Sequence, residues 1–237
     1  MPRSPQGRPV IVQAGQSEPG RALAARTAEI IFTVQPDFEA GKAFYADIKS
    51  RVLKYGRTPD SVKIMPGVLA VIGKTRAEAQ AKWDRMQDMI HPEHGIVNLS
   101  DLVGIDLSKY PLDGPLPDAP TINTQQGRQT LIYAMARREN LTIREIYKRV
   151  TGARIHRVVI GTAVDAADAL EEWFGVAADG FNILPLTFPA GLRDIVEELL
   201  PELRRRGLFR KDYEGATLRD HLGLPYPENR YARVPAK

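Results

Sequence analysis

The sequence predicts an α/β fold built of parallel βαβ units, on three observations. Short, nearly continuous apolar runs such as PVIVQAG and EIIFTVQ alternate with longer stretches whose apolar residues recur at helical spacing. Ser, Thr or Asp stands at the start of several of those stretches, as an N-cap does. The resulting order is β-α-β-α-β-α, an interruption, then β-α. Strands apolar on both faces are the mark of a parallel sheet covered by helices. Periodicity alone leaves two architectures open, an open doubly wound sheet and half of a closed barrel.

Residues 9–15 read as the first strand and Ser17 to Ala28 as a helix, with Glu18 and Pro19 in its first turn. A second strand covers 29–35. Asp37 to Tyr55 is a helix with Phe38, Phe44, Ile48 and Val52 on one face and Gly56 as its C-cap. The third strand spans 62–73, and Pro66-Gly67 inside it predicts a bulge or a local break. Thr75 opens the next helix, with Glu78 at capping-box spacing. From His91 to Gln126 the chain is rich in Pro, Gly and Asp, and a long poorly ordered excursion is expected there. Helices resume at 128–138 and 142–150, the latter with Thr142 and Glu145 as a capping box. HRVVIGT (156–162) is strand-like and leads to a helix reaching Phe174; residues 180–186 form the last strand and 192–206 the last long helix. The tail at about 209–237 reads as irregular. Four strands, near 9–15, 29–35, 62–72 and 180–186, are expected side by side and parallel in one sheet.

Bulk properties bound the function. The chain has 237 residues, 43% apolar and 26% charged, enough for one sizeable core in a single domain over 1–237. No apolar run is long enough to cross a membrane, and MPRSPQGRP lacks the apolar segment of a secretory leader. There is no cysteine, which excludes disulfides, thiolate metal sites and Cys nucleophiles and agrees with a cytoplasmic location. The net charge of +4 is spread among acidic residues, and Arg204-Arg205-Arg206 suits a solvated helix end, so no nucleic-acid surface is expected.

The stretch Gly15-Gln16-Ser17-Glu18-Pro19-Gly20 follows a strand and opens a helix. Backbone N–H groups point out of such a corner, where the helix dipole is positive, and phosphate is the natural guest. An ordinary N-cap made by Ser17 fits the same spacing. Two other motifs are excluded. The dinucleotide fingerprint requires Gly where Ser17 stands, and the nucleophile elbow requires Gly at Pro19. None of the four histidines, at positions 91, 94, 156 and 221, pairs with Ser17 in an evident way. His91-Pro92-Glu93-His94 lacks a further ligand group, so no metal site is expected.

Taken in order, SPQGRPVIVQAGQSEPGRALAARTAEIIF, TPDSVKIMPGVLAVIGKTRAEAQ, YPLDGPLPDAPTIN, ARRENLTIREIY, HRVVIGT, LEEWFGVAADGFNILP and LPELRRRGLFRKDYEGATLRDHLGLP resemble the C-terminal half of the nitrilotriacetate monooxygenase component A family. That family includes dibenzothiophene-sulfone and long-chain alkane monooxygenases and belongs to the bacterial luciferase-like flavin enzymes. The resemblance covers essentially the whole chain.

It implies a TIM-type βα barrel, of which this chain supplies strands five to eight with a long insertion at about 91–126. The activity implied is that of a monooxygenase using molecular oxygen and reduced FMN, delivered by a separate NAD(P)H:flavin oxidoreductase, on a small organic substrate. The family's Q-A-G-x-S segment falls on Gln13, Ala14, Gly15, Gln16 and Ser17, which makes this corner the implied FMN phosphate site with Ser17 as side-chain ligand. No catalytic residue is named, because the N-terminal half of the family pattern is absent. The family's Gly-Thr-Pro is Gly161-Thr162-Ala163 here, where Thr162 still serves as a cap. A truncated chain of this kind is expected to form a homo-oligomer or to pair with its missing half. The alternative is a non-catalytic half-barrel that self-associates and at most binds phosphate or FMN.

Overall fold

The computed structural model describes residues 3–121 and 126–229. The parts of the expected insertion and tail at 122–125 and 230–237 lie outside the described residues. Five strands, β1 (Val12–Gln13), β2 (Ile30–Thr33), β3 (Lys63–Ile72), β4 (Arg157–Gly161) and β5 (Asn182–Pro185), form one sheet in which every pairing is parallel. The four expected strands are all present, and HRVVIGT contributes a fifth between the third and the last. The sheet is open among the described residues.

β3 is the hub. Its first half pairs with β2, Ile30 opposite Lys63 through Thr33 opposite Pro66. Its second half pairs with β4 from Val68–Arg157 to Ile72–Gly161, and with β5 from Gly67–Asn182 to Ala70–Pro185. The Lys63 N–H bonds to Glu29 and the Gly73 N–H to Gly161. Those donors are an even number of residues apart, so β2 and β4 follow one another along the same edge of β3. Asp179, just ahead of β5, bonds to Ile64 on the other edge.

The bulge expected at Pro66-Gly67 is not there. Inward and outward positions alternate without interruption, and the strand changes partners at that point instead. Pro66, which has no N–H, is two residues from Ile64, so its nitrogen faces the other edge of β3, just ahead of the point where the pairing with β5 begins at Gly67, and no ladder bond is lost there.

One face of the sheet is covered by helices in sequence order. Ile31 and Ile64 pack with Phe44, Ile48 and Val52 of α2 (Phe38–Leu53) and with Ala24 and Ala25 of α1 (Glu18–Thr27). Val68, Ala70, Ile72 and Val159 pack with α7 (Ala163–Glu171) and with a helical run made of α8 (Ala190–Asp194), a π-helical turn (Ile195–Leu199) and α9 (Leu200–Arg205). On the other face Leu69, Val71, Val158, Ile160 and Leu184 meet Trp83 of α3 (Arg76–Asp88) and Ala153. Toward β2 that face is only half-buried, at Ile30, Phe32 and Met65.

Three expectations need correction. The strand expected over 9–15 is reduced to Val12–Gln13, because among the described residues β1 has a partner on one side only and Val12 is 58% exposed. The expected excursion at 91–126 holds a helix, α4 (Pro92–Val103), and a helical turn at Leu107–Lys109. Here Pro92 occupies a first-turn position and Gly104, at φ 75°, closes the helix. Both residues punctuate a helix and do not break one. Leu99, Val103 and Leu107 are buried against Ile132 of α5 (Gln126–Glu139) and Ile143, Ile146 and Val150 of α6 (Ile143–Ala153). Third, the tail expected to be irregular carries α10 (Leu218–Leu222), started by a capping box between Thr217 and Asp220. Nor are the cations at 204–206 simply solvated. Arg206 pairs with Glu202, Asp168 and Glu171, Arg205 pairs with Glu202, and Arg204 lies over the Phe209 ring.

Candidate functional site

At the C-terminal end of β1 the chain turns sharply into α1. The two glycines of the corner are back to back: a Cβ on Gly20 would lie 3.1 Å from the Gly15 carbonyl carbon, and one on Gly15 would lie 3.3 Å from the Gly20 Cα. Only residues without side chains let the strand end and the first helical turn approach so closely. Ser17 is the N-cap of α1. Its Oγ accepts the Gly20 N–H at 3.3 Å, which is the ordinary cap that the spacing allowed. Accepting that bond leaves the hydroxyl proton available to a second acceptor. Pro19 carries no N–H, so the donors left to the corner are those of residues 15–18, none of which bonds another backbone group among the described residues.

The neighbouring polar residues tie the ends of β1 and β2 together. Gln16 Nε2 donates to the Val34 carbonyl at 3.2 Å. Gln35, 4% exposed, donates to Thr33 Oγ1 at 2.9 Å and reaches Gln16 Oε1 at 3.5 Å. Arg21 folds back onto the Gln16 carbonyl and pairs with Asp47. The side-chain oxygen of Gln13 is buried with no partner among the described residues, and such groups cost free energy until something bonds them. Ala14 is exposed. Glu18, also at the corner, is held in its charged form by a two-point hydrogen bond from Arg51, which lowers its pKa and offsets its charge.

The other face of the sheet brings a further group to the end of β2. The His156 ring, immediately before β4, lies 5.5 Å from the Phe32 ring and packs on Gly67, where a Cβ would come within 2.5 Å of Nδ1. Burial lowers the His156 pKa, with the Arg128 and Arg154 charges adding to the effect, so the imidazole is neutral. Thr162 and Asp165 cap α7 with a complete capping box at the far end of β4, as the local Gly-Thr-Ala sequence predicted, and Arg76 binds Asp165 there.

Of the residues singled out from the sequence, the structure gathers Gln13, Gly15, Gln16 and Ser17 into one corner and leaves His91 and His94 exposed, their rings 5.9 Å apart. Among the described residues no three His, Asp or Glu are placed to hold a metal ion. No helix described is long and apolar enough to cross a membrane. Sequence reasoning overlooked Gln35 and His156. In the sequence His156 offers no evident pairing with Ser17. The available signal was the alternation of His156, Val158 and Ile160 in one strand, which puts the imidazole in a row with inward apolar residues.

Comparison with known proteins follows the same lines. Residues 1–180 match the luciferase-like monooxygenase family. Nitrilotriacetate monooxygenase component A of Aminobacter aminovorans is 52% identical over 236 residues, which is 98% of this chain and 52% of that protein. N-acetyl-S-(2-succino)cysteine monooxygenase of Bacillus subtilis (strain 168) is 50% identical over 235 residues, 98% of this chain and 53% of that protein. The crystal structure of DmoA from Hyphomicrobium sulfonivorans superposes with a TM-score of 0.80 at 30% identity, covering 92% of this chain and 46% of that one. A riboflavin lyase structure with modified FMN and riboflavin gives a TM-score of 0.77 at 31% identity, covering 98% of this chain and 51% of that one. The chain thus spans about half the length of the curated relatives it matches. On these matches the chain belongs to the luciferase-like monooxygenase family.

Proposed function

We propose that this chain is the flavin-phosphate-binding half of an FMN-dependent monooxygenase, corresponding to strands five to eight of a βα barrel. The observation that carries the reading is the corner at Gly15 to Gly20: backbone N–H groups with no backbone partner among the described residues, two glycines in contact and a serine hydroxyl, at the C-terminal end of a parallel strand in a chain of this family. These residues fit a phosphate. The Gly15–Gly20 contact opens the backbone to an anion, Ser17 has a proton to donate, and Arg51 neutralises Glu18, the one acidic side chain at the corner. Reduced FMN would supply the electrons with which oxygen is activated for insertion of one atom into the substrate.

The chain's own residues hold and orient. Ser17 and the N–H groups of residues 15–18 take the phosphate, while Gln16 and Gln35 lock the two strand ends so that the corner keeps its shape. The substrate is a small organic molecule. The reductant comes from an NAD(P)H:flavin oxidoreductase, by analogy with a relative that is itself termed component A. A partner of that kind works in the cytoplasm.

Titrating FMN into the wild-type chain and Ser17→Ala tests this reading. Loss of a hydrogen bond to a charged group costs about 1.5–3 kcal/mol, which is roughly a ten- to hundredfold weaker Kd. Equal dissociation constants with a lowered Tm would leave Ser17 as a helix cap and move the phosphate elsewhere.

A second reading, a non-catalytic half-barrel that self-associates, is favoured by one observation. Val12, at an edge of β1 left unpaired among the described residues, Phe188 just before α8, and Leu192 and Val196 in the run from α8 to α9 are all exposed. Sedimentation equilibrium decides it: a monomer that binds FMN excludes this reading.

A further inference from the structure

The face of the sheet turned away from α1 and α2 carries a histidine whose position the backbone goes out of its way to fix. Helix α6 ends at Ala153, and the next residues, Arg154 and Ile155, both have left-handed backbones, with φ of 49° and 69°. For Arg154 this is an ordinary helix-ending conformation. For Ile155 it is an outlier, because a β-branched side chain is strongly disfavoured there. The strain persists because Ile155 is buried in the cluster formed by α4, α5 and α6. Its consequence is to aim the next residue, His156, across the end of β2 and onto Gly67.

Three features show that the imidazole is not simply core. Its Nδ1 is buried with no hydrogen-bond partner among the described residues. Its Nε2 also bonds nothing among the described residues and is not one of the buried unpaired atoms, and the half-buried Phe32 ring lies 5.5 Å from the imidazole. The only glycine in the inward row of β3 stands where the ring needs room: a Cβ at Gly67 would lie 2.5 and 2.6 Å from Nδ1 and Cε1. The charged groups acting on the ring are Arg128 from α5 and Arg154. Both are cations, and neither favours a proton on both nitrogens. With Nδ1 pressed on Gly67, the proton of the neutral ring belongs on Nε2.

We propose that His156 is a ligand-contacting residue, an imidazole fixed by the strained Ile155 backbone against Gly67, whose Nε2–H donates a hydrogen bond to a carbonyl oxygen of the flavin ring system bound over Phe32. The inference rests on the FMN reading above and adds to it a contact from the opposite face of the sheet, remote from the phosphate corner.

The test is FMN titration by flavin fluorescence, from pH 6 to 8, of the full chain and four variants, with Tm recorded for each. His156→Gln places an amide nitrogen where Nε2 stands and should stay close to the wild-type Kd. His156→Asn, whose amide reaches only as far as Nδ1, and His156→Phe, which keeps the ring stacking, should each bind about tenfold more weakly, the loss of one hydrogen bond. Gly67→Ala leaves His156 in the sequence but displaces its ring, and should weaken binding to the same degree. The order of the variants should be the same across this pH range. If wild type binds FMN and all four variants match it, the His156 contact is overturned and the FMN reading stands. If Asn, Gln and Phe lose affinity equally, the donor role is overturned in favour of a packing role. If wild type itself fails to bind FMN, the underlying reading falls and this contact with it.

Discussion

The guanidinium of Arg219, fully buried, grips both oxygens of Glu29 at 2.8 and 2.9 Å across 190 residues of chain. The same guanidinium donates to the carbonyls of Arg8, Pro9 and Pro225. Arg8 and the Ile11 N–H complete the bonding of the carboxylate. One side chain from the tail thereby ties together the entry to β1, the start of β2 and α10. It lies at the N-terminal ends of β1 and β2, opposite the corner at Gly15 to Gly20.

Arg219→Met should therefore destabilise the chain by about 3–5 kcal/mol, because it leaves a buried carboxylate with half its partners. The denaturant midpoint measures this. FMN affinity per folded molecule should not change.

Acid should attack the same contact. Burial alone raises the pKa of Glu29, but hydrogen bonds from Arg219, Ile11 and Arg8 outweigh it and bring the value down to about 2. A carboxyl with a depressed folded-state pKa stabilises the fold above its unfolded value of 4.5 and loses that contribution as pH falls toward 2. A plot of unfolding free energy against pH should fall through this window, and the fall should be shallower in Glu29→Gln.

The insertion should behave as a folded layer. Leu99 is fully buried between α4, α5 and α6, so Leu99→Ala should cost about 2–5 kcal/mol. Hydrogen exchange should show strong protection in the second half of α4, from residue 96 to 103. Rapid exchange there would restore the poorly ordered excursion that the Pro and Gly content predicted.

Thr162 caps α7 through a bond from the Asp165 N–H, and Asp165 returns a bond to the Thr162 N–H. Thr162→Ala should cost about 1 kcal/mol, read as a lowered Tm, and Thr162→Ser should recover most of it. Equal losses in the two variants would mean that the methyl group, and not the hydroxyl, matters at this position.

Much of the fold is legible in local patterns. The apolar runs at Ile30–Thr33, Lys63–Ile72 and Asn182–Pro185 became strands, and the caps at Ser17, Asp37, Thr75, Thr142 and Thr162 start helices where the sequence placed them. A cap is a bond over three residues and a strand is a run of side chains, so both are written in contiguous sequence. The site was only half legible for the same reason. Ser17 and Gly15 belong to one short motif, whereas Gln35 and His156 reach the end of β2 from separate segments.

What the sequence alone determined is the element order, the parallel βαβ class and the glycine-serine corner, because each depends on neighbours within about one or two helical turns. Tertiary structure decided the rest. It let β3 pass through Pro66-Gly67 by exchanging one partner for others, turned the Pro- and Gly-rich insertion into a helix by giving Leu99 and Val103 a surface to bury against, and drew Arg219 into the sheet from the tail. It also set His156 against Gly67. Each of these outcomes joins residues far apart in the chain, and its free energy comes from burial and ion pairing that exist only once the distant partner has arrived.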